Sequence, residues 1–289
     1  MSSIETLVRG RTLDLGDGLT VRRVLPHAAR RSVGPFVFVD HFGPIVFAPG
    51  RGMDVRPHPH IGLATVTYLF DGAVVHRDSL GSVQRIEPGA VNWMVAGRGV
   101  VHSERSPDQE RRRGHVLHGV QTWVALPVEH EEEAPFFAHH PAVMLPLVER
   151  PGVRIHLLVG RAFGHSSPVA TRSDTLYCAL ELDADAQVSI PPEHAERAVY
   201  AVDGRVSIDG EPVEAGQLAV LAASGTVELA ARRAARVMLL GGDPLGPRMV
   251  WWNFVSSRAE RIEQAKADWA AHRLGRIEGE TEFIPLPER

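Results

Sequence analysis

Two pairs of polar residues with i, i+2 spacing are the strongest chemical signal in this sequence. His58 and His60 form the first pair, and His102 and Glu104 form the second. Because alternate side chains of an extended strand point to the same face, each pair presents its two side chains together. Imidazole and carboxylate ligands suit a borderline divalent ion such as iron, manganese, nickel, copper or zinc. The spacing therefore predicts a metal site made by these four residues on neighbouring strands.

The competing interpretation is that these are four unrelated surface residues. A single His-x-His pair is weak evidence, because such pairs also occur on ordinary strand faces. Two same-face pairs, each beside glycine or proline and separated by enough strands to bring them together, favour a shared ion. We therefore expect one divalent metal ion per chain.

Three further polar residues are candidates for the same site. His76 and Asp78 share a face of the next predicted strand, where they can line the cavity or support the ligands from behind. An ordinary polar strand face explains this pair equally well. His41 is a candidate for covering the cavity mouth, and a role in a turn explains it as well.

Other distinctive residues are assigned to the core or to the surface. Trp93, Met94 and Trp123 are expected to fill the core rather than to bind a substrate. His139 and His140 fall in a segment without clear periodicity, and they are expected to be solvated.

The elements that position these residues are predicted to be strands. Short apolar runs alternate with turn pairs such as Asp71-Gly72 and Pro88-Gly89 along most of the chain. This pattern is typical of an all-β barrel or sandwich. Residues 68–72 resemble residues 199–204, which indicates a duplicated barrel.

One helix is predicted near the end of the chain. Ser257 is expected to cap it, Glu260 to complete a capping box, and Gly275 to terminate it. The predicted apolar stripe consists of Ile262, Ala265 and Trp269. A surface helix that packs this stripe on a barrel is the simplest interpretation.

Composition excludes several classes of protein. The 289 residues are 44% hydrophobic and 23% charged, which is typical of a soluble globular chain. The formal net charge of −4 gives no general attraction to nucleic acid, so no nucleic-acid binding is expected. No apolar run predicts a membrane span or a signal peptide. The single cysteine, Cys178, excludes an internal disulfide and favours a cytoplasmic setting.

Five segments carry a resemblance to a known family. They are DHFGP at 40–44, PHPHIG at 57–62, NWMVAGRGVVHSE at 92–104, QTWV at 121–124 and WWNFVSS at 251–257. Together they resemble the pirin family of the cupin superfamily. The resemblance extends over nearly the whole chain, and the third segment is long and specific.

The resemblance implies a fold and a metal. Pirins are all-β bicupins, in which two double-stranded β-helix barrels are followed by a C-terminal α-helix that returns to the first barrel. Their N-terminal barrel holds one metal ion, usually iron, through three histidines and one glutamate. Those ligands correspond to His58, His60, His102 and Glu104. Iron(II) is therefore the expected ion, with manganese, nickel, copper and zinc left open.

The resemblance and the spacing together predict four regions. Residues 1–134 are expected to form the metal-binding barrel, and 135–146 a linker. Residues 147–256 are expected to form a second barrel without a complete metal site, because His194 and Glu196 lack a matching downstream histidine. Residues 257–289 are expected to form the helix and a tail that pack back on the first barrel.

Two positions depart from the usual pattern HPHRGFE of the family. Ile61 stands in place of the arginine, and Ala64 stands in place of the acidic residue. Because the family does not use that acidic residue as a metal ligand, the metal site is expected to persist. We expect the cavity to be less polar as a result.

The resemblance implies a quercetin 2,3-dioxygenase activity, in which quercetin or a related flavonol is cleaved by dioxygen. Glu104 would take the proton of the substrate's 3-hydroxyl group, as the basic carboxylate of the ligand set. One alternative is a non-catalytic, metal- or redox-responsive regulatory protein that binds a protein partner. Another is a cupin oxygenase for a different substrate. The family also implies a monomer.

Overall fold

The computed structural model describes residues 2–16 and 19–288. Residues 1 and 289, the outer limits of the first and last predicted regions, lie outside the described residues. The earlier strands are β1 (Ile4–Arg9), β2 (Arg11–Asp14), β3 (Thr20–Leu25), β4 (Phe36–Phe47), β5 (Asp54–His60), β6 (Leu63–Asp71), β7 (Val74–Asp78), β8 (Val83–Ile86), β9 (Val91–Val95), β10 (Val100–Arg105), β11 (His115–Ala125) and β12 (Phe136–His140), with the helix α1 (Asp108–Arg113) before β11.

The later part of the chain has the same character. Its strands are β13 (Leu147–Arg150), β14 (Val153–Ala162), β15 (His165–Ser166), β16 (Thr175–Leu182), β17 (Gln187–Ile190), β18 (Glu196–Asp203), β19 (Arg205–Ile208), β20 (Glu211–Glu214), β21 (Gln217–Leu221), β22 (Val227–Ala231), β23 (Ala235–Gly242), β24 (Met249–Trp251) and β25 (Phe254–Ser256), followed by the helix α2 (Ala259–Ala270). The prediction of an all-β fold with a C-terminal helix is confirmed.

The chain divides into two compact units. Unit 1 consists of Met1–Leu13, Arg22–His41 and Val143–Leu245. Unit 2 consists of Asp14–Val21, Phe42–Ala142 and Gly246–Arg289. Unit 2 contains all four predicted metal ligands. The limits of the four regions set from the sequence stay a prediction.

Unit 1 contains two antiparallel sheets around an apolar core. The larger sheet has the strand order β1-β21-β18-β23-β16-β14-β13, and the smaller has the order β17-β22-β19-β20. Strand β17 shows why these segments form sheet: Val188 and Ile190 are buried, whereas Gln187 and Ser189 are exposed. A period of two buries alternate side chains on one face. Cys178 lies in this core.

Unit 2 also contains two antiparallel sheets. The larger has neighbouring strands in the order β12-β9-β6-β11-β4, and the smaller has the order β5-β10-β7-β8. Strand β12 lies within the segment that the sequence predicted as a linker, and it pairs with β9. The two strands that carry the predicted ligands, β5 and β10, are hydrogen-bonded neighbours.

Gly62 fixes the turn between β5 and β6. Its φ is +67°, and a Cβ atom there would lie 2.0 Å from the carbonyl oxygen of Val255. Only glycine combines that backbone conformation with so close an approach. The C-terminal segment is thereby held against the end of the strand that carries His58 and His60.

The C-terminal helix packs on unit 2. Its predicted stripe is confirmed, because all three residues are buried in a cluster with Ile61, Val101 and Phe254. The predicted cap is wrong: the helix begins after Arg258 without a side-chain cap. The hydroxyl and the N–H of Ser257 bond instead to the buried carboxylate of Glu131.

Two smaller features complete the description of the helices. The helix ends at Ala270, so Gly275 is not its terminator. Within the described residues, no helix combines the length and the apolar character needed to cross a membrane.

Candidate metal centre

Three histidines of unit 2 converge on one point. Antiparallel pairing of β5 with β10 places His102 directly opposite His58. The ring centroids of His58 and His60 are 5.0 Å apart, and those of His58 and His102 are 4.4 Å apart. One ligand atom from each of the three lies within 4.8 Å of the others. All three side chains are buried, so the strand register forms the cluster that the i, i+2 spacing predicted.

Backbone carbonyls select the tautomer of two of these histidines. The Nδ1–H of His58 donates to the carbonyl oxygen of Arg56 at 2.9 Å. The Nδ1–H of His60 donates to the carbonyl oxygen of Asn253 at 3.1 Å. Because a neutral imidazole carries one proton, each Nε2 keeps its lone pair for a cation.

The third histidine is held by another histidine. The two Nδ1 atoms of His102 and His76 are 3.4 Å apart, and the Nε2–H of His76 donates to Asp78 Oδ2 at 2.9 Å. Asp78 Oδ1 accepts from the backbone N–H groups of Leu80 and Ser82. One arrangement of protons satisfies these hydrogen bonds: His76 carries its proton on Nε2, and His102 carries its proton on Nδ1. The Nε2 of His102 is then also bare.

The electrostatics of the cluster favour a bound cation. Burial lowers the pKa of His58, and it lowers the pKa of His60 and of His102 well below the usual value. Neighbouring imidazoles lower the pKa of the latter two further. The rings are therefore neutral, yet the Nε2 atoms of His60 and His102 lie only 3.1 Å apart. Two facing lone pairs repel each other, and a divalent ion between them removes that repulsion. The three-nitrogen donor set fits such an ion.

Glu104, the fourth predicted ligand, is held by the opposite sheet. Its two carboxylate oxygens lie 2.9 and 2.8 Å from the amide nitrogen of Gln121. The hydroxyl of Thr67 donates to the same carboxylate at 3.1 Å. Among the described residues, the group of ligand atoms within 4.8 Å of one another contains the three histidines without Glu104. Thr67 and Gln121 thus hold the Glu104 carboxylate, and its role as the fourth ligand stays a prediction.

Sequence reasoning missed Thr67 and Gln121. The available signal was strand alternation, because Gln121 and Trp123 share a face of β11. The ring of Trp123 lies edge-on to that of His60, with centroids 5.1 Å apart. Trp123 therefore packs against a predicted ligand, in addition to the core role that the sequence indicated.

The structure does not support a less polar cavity at the two departures from the family pattern. Ile61 is buried in the apolar cluster of α2. Ala64 is on the face of β6 opposite to Thr65 and Thr67. Thr67 contacts Glu104, so Ala64 points away from the site. These contacts place neither replaced side chain at the metal centre, and the expected lower polarity of the cavity stays a prediction.

The remaining predicted site residue and the second barrel's polar pair lie in unit 1. His41 Nδ1 is 2.8 Å from the hydroxyl of Tyr200. His194 contacts Asp174 Oδ2 at 2.6 Å. Glu196 accepts a hydrogen bond from the N–H of Gly34, also at 2.6 Å.

Comparisons with known proteins identify both halves of the chain. The family model described as pirin matches residues 18–124, and the model described as the pirin C-terminal cupin domain matches residues 177–275. A pirin-like protein of Caulobacter vibrioides is 49% identical, over 99% of this chain and 100% of its own.

Solved structures agree with these matches. A crystal structure of quercetin 2,3-dioxygenase from Acinetobacter baumannii superposes with a TM-score of 0.91 at 35% identity, covering 98% of this chain and 95% of that one. A bacterial pirin from Escherichia coli in complex with nickel(II) has a TM-score of 0.65 at 20% identity, covering 83% of this chain and 99% of that one. The second comparison shows a shared fold.

Proposed function

This chain belongs to the pirin family of bicupins, and from that premise we propose that it is an iron-dependent dioxygenase that cleaves the ring of quercetin or a related flavonol. The observation that carries the proposal is the convergence of three neutral histidines whose Nδ1 atoms are already engaged. The Acinetobacter structure, named for that activity, supports the choice of reaction.

The site would hold one ion. His58, His60 and His102 would bind it through their Nε2 atoms, and Glu104 is the proposed fourth ligand. A bound divalent ion supplies Lewis acidity to a substrate oxygen and a means of reaction with dioxygen. Iron(II) is the proposed ion.

Glu104 is proposed as the base that accepts the proton of the flavonol 3-hydroxyl group. Its carboxylate is buried and oriented by Thr67 and Gln121, which fixes the direction in which it can accept a proton. An oriented, dehydrated base needs little reorganisation when the proton moves.

Aromatic side chains shield the site. Trp123 packs against His60, and the ring of Phe137 stacks on that of His76 with centroids 4.3 Å apart. These rings hold the imidazoles in place and exclude water from behind them. They also offer an apolar wall to a flat aromatic substrate.

Oxygen consumption tests the proposal. Protein reconstituted anaerobically with iron(II) is mixed with quercetin and oxygen, and carbon monoxide is measured in parallel. We expect oxygen uptake with release of carbon monoxide, and loss of both in His58→Ala. No uptake by fully metallated protein contradicts the proposal, and it favours the regulatory alternative or a different substrate.

Composition and family also support two further proposals. The protein is located in the cytoplasm, and it is a monomer. Sedimentation of the metal-loaded protein tests the second, and a stable dimer contradicts it.

A further inference from the structure

Four polar side chains form a row across the inner face of the larger sheet of unit 2. Strand register pairs Gln121 with Thr67, Thr67 with Asn92, and Asn92 with His139. Directly opposed residues of antiparallel strands share a face. Thr67 and Gln121 contact Glu104 from this face, so the face is directed at the metal centre.

The position of Phe137 gives the same orientation independently. Phe137 precedes His139 by two residues on β12, so their side chains share a face. Because Phe137 stacks on His76, that face is turned towards the histidines. His139, which the sequence predicted to be solvated, is instead half-buried on this face.

Asn92 and His139, the two residues of the row farthest from Glu104, each have an unused hydrogen-bonding atom. The Nδ1–H of His139 donates to Asn92 Oδ1 at 2.7 Å. Asn92 is only 4% exposed. In the described part of the chain, neither the Asn92 amide nitrogen nor His139 Nε2 has a hydrogen-bond partner.

The two unused atoms are chemically complementary to hydroxyl groups. Burial and the nearby His140 lower the pKa of His139, so the ring is neutral near pH 7 and its Nε2 is an acceptor. The Asn92 amide nitrogen is a donor. Because Nδ1 and Nε2 of an imidazole point in nearly opposite directions, one hydroxyl group cannot reach both atoms. Two hydroxyl groups of a polyhydroxylated ring can satisfy them, one accepting from the Asn92 amide and one donating to His139 Nε2.

The distance along the row suits an extended aromatic ligand. Neighbouring strands are about 4.8 Å apart, so His139 lies roughly 10 Å across the sheet from Thr67, two strands away. Thr67 supports the carboxylate that would take the 3-hydroxyl proton. A flavonol with one oxygen at that carboxylate extends over the intervening distance with its outer ring.

We propose that Asn92 and His139 form a subsite that binds hydroxyl groups of the substrate remote from the metal centre. The inference rests on the proposed function, and it deepens it: the site selects polyhydroxylated flavonols over unsubstituted ones. Asn92 and His139 contribute to binding, whereas Glu104 and the metal ligands serve the reaction.

Two ligands and two neighbouring variants test the subsite. Quercetin carries remote hydroxyl groups, and 3-hydroxyflavone lacks them. Their dissociation constants are measured anaerobically with iron(II)-loaded protein, by ligand fluorescence and calorimetry. The matched control is His140→Ala. His140 is also half-buried on β12, but its side chain is on the opposite face of the sheet from that of His139.

We expect His139→Ala to weaken quercetin binding roughly 3- to 10-fold, the effect of one lost hydrogen bond. Binding of 3-hydroxyflavone should stay within about 2-fold, and His140→Ala should change neither ligand. His139→Gln, which keeps both a donor and an acceptor, should restore part of the quercetin affinity.

Three results overturn the subsite. They are equal losses for both ligands, no loss for quercetin, and equal effects of the two alanine variants. Failure of the wild-type protein to bind either flavonol contradicts the proposed function as well as the subsite. If the wild-type protein binds both flavonols and His139→Ala changes the two affinities equally, the subsite alone is contradicted.

Discussion

At the residue scale, each histidine of the cluster has a different kind of partner on its Nδ1. His58 and His60 donate to backbone carbonyls, whereas His102 donates to His76, which in turn donates to Asp78. Asp78 therefore acts on the metal centre through two imidazoles. Its negative charge makes the Nε2 of His102 more basic and fixes the tautomers of both rings.

Asp78→Asn should lower metal affinity about 10- to 100-fold, because it removes the charge but keeps the size of the side chain. Competition with a chelator, using nickel(II) as the probe ion, measures the dissociation constant without any turnover. The control is Asp54→Asn, a carboxylate on β5 that pairs with Arg105 and Arg111 rather than with a histidine. Equal affinities for the two variants contradict the role of Asp78.

Glu104→Gln separates metal binding from proton transfer. The three histidines remain, so the variant should keep most of its metal. The amide cannot accept the 3-hydroxyl proton, and turnover of quercetin should fall about 100-fold or more. Metal content by elemental analysis and oxygen uptake are measured on the same sample. Full activity in this variant removes Glu104 as the base.

At the element scale, β10 uses its two faces differently. His102 and Glu104 point towards the site, whereas Ser103 and Arg105 bond on the other face to the carboxylate of Glu280, at 2.6 and 2.7 Å. The same tail reaches β5, since the N–H of Ile284 donates to the carbonyl oxygen of Pro57. The C-terminal tail thus contacts the outer face of β10 and the edge of β5.

Glu280→Ala should destabilise unit 2 by about 1–3 kcal/mol, because it leaves the buried Ser103 hydroxyl without its acceptor and removes the least exposed carboxylate partner of Arg105. Glu282→Ala is the matched control, because Glu282 bonds to the same nitrogen of Arg105 but its side chain is 57% exposed. The Glu282→Ala variant should lose less than about 1 kcal/mol of its free energy of unfolding. Denaturant unfolding of the metal-free proteins measures both, and equal costs contradict a structural role specific to Glu280.

At the scale of the whole molecule, the buried histidines make stability depend on pH. Burial lowers the pKa of His58, His60 and His102 in the folded chain below 6.5. The unfolded chain therefore binds more protons as the pH falls below 6.5, and stability falls with it. The loss begins near the unfolded pKa and continues down to the lowered folded values.

The metal-free protein should therefore unfold at lower denaturant concentration at pH 5.5 than at pH 7.5. The pH dependence should be shallower in a His60→Gln/His102→Gln variant, because two of the responsible groups are gone. His165→Gln, which changes an exposed histidine of unit 1, should leave the dependence unchanged. Equal slopes in the wild type and the double variant contradict the assignment.

Local spacing was sufficient for part of this molecule. The i, i+2 pairs at 58–60 and 102–104 predicted four converging side chains, and the three histidines among them do converge, because strand alternation is a local property of the chain. The same kind of reasoning predicted the stripe of α2 from its helical period, and the strands from the turn pairs between them. The segments at 57–62 and 92–104 identified the family.

Tertiary structure decided what depends on distant parts of the chain. The acceptor for His60 is the carbonyl of Asn253, which lies 193 residues away in sequence. Ser257 bonds to Glu131 rather than capping its helix, because a buried carboxylate is a stronger partner. Sequence motifs state which side chains share a strand face. The register between strands and the return of the C-terminal segment decide which partner each side chain meets, because these arise only when distant segments pack.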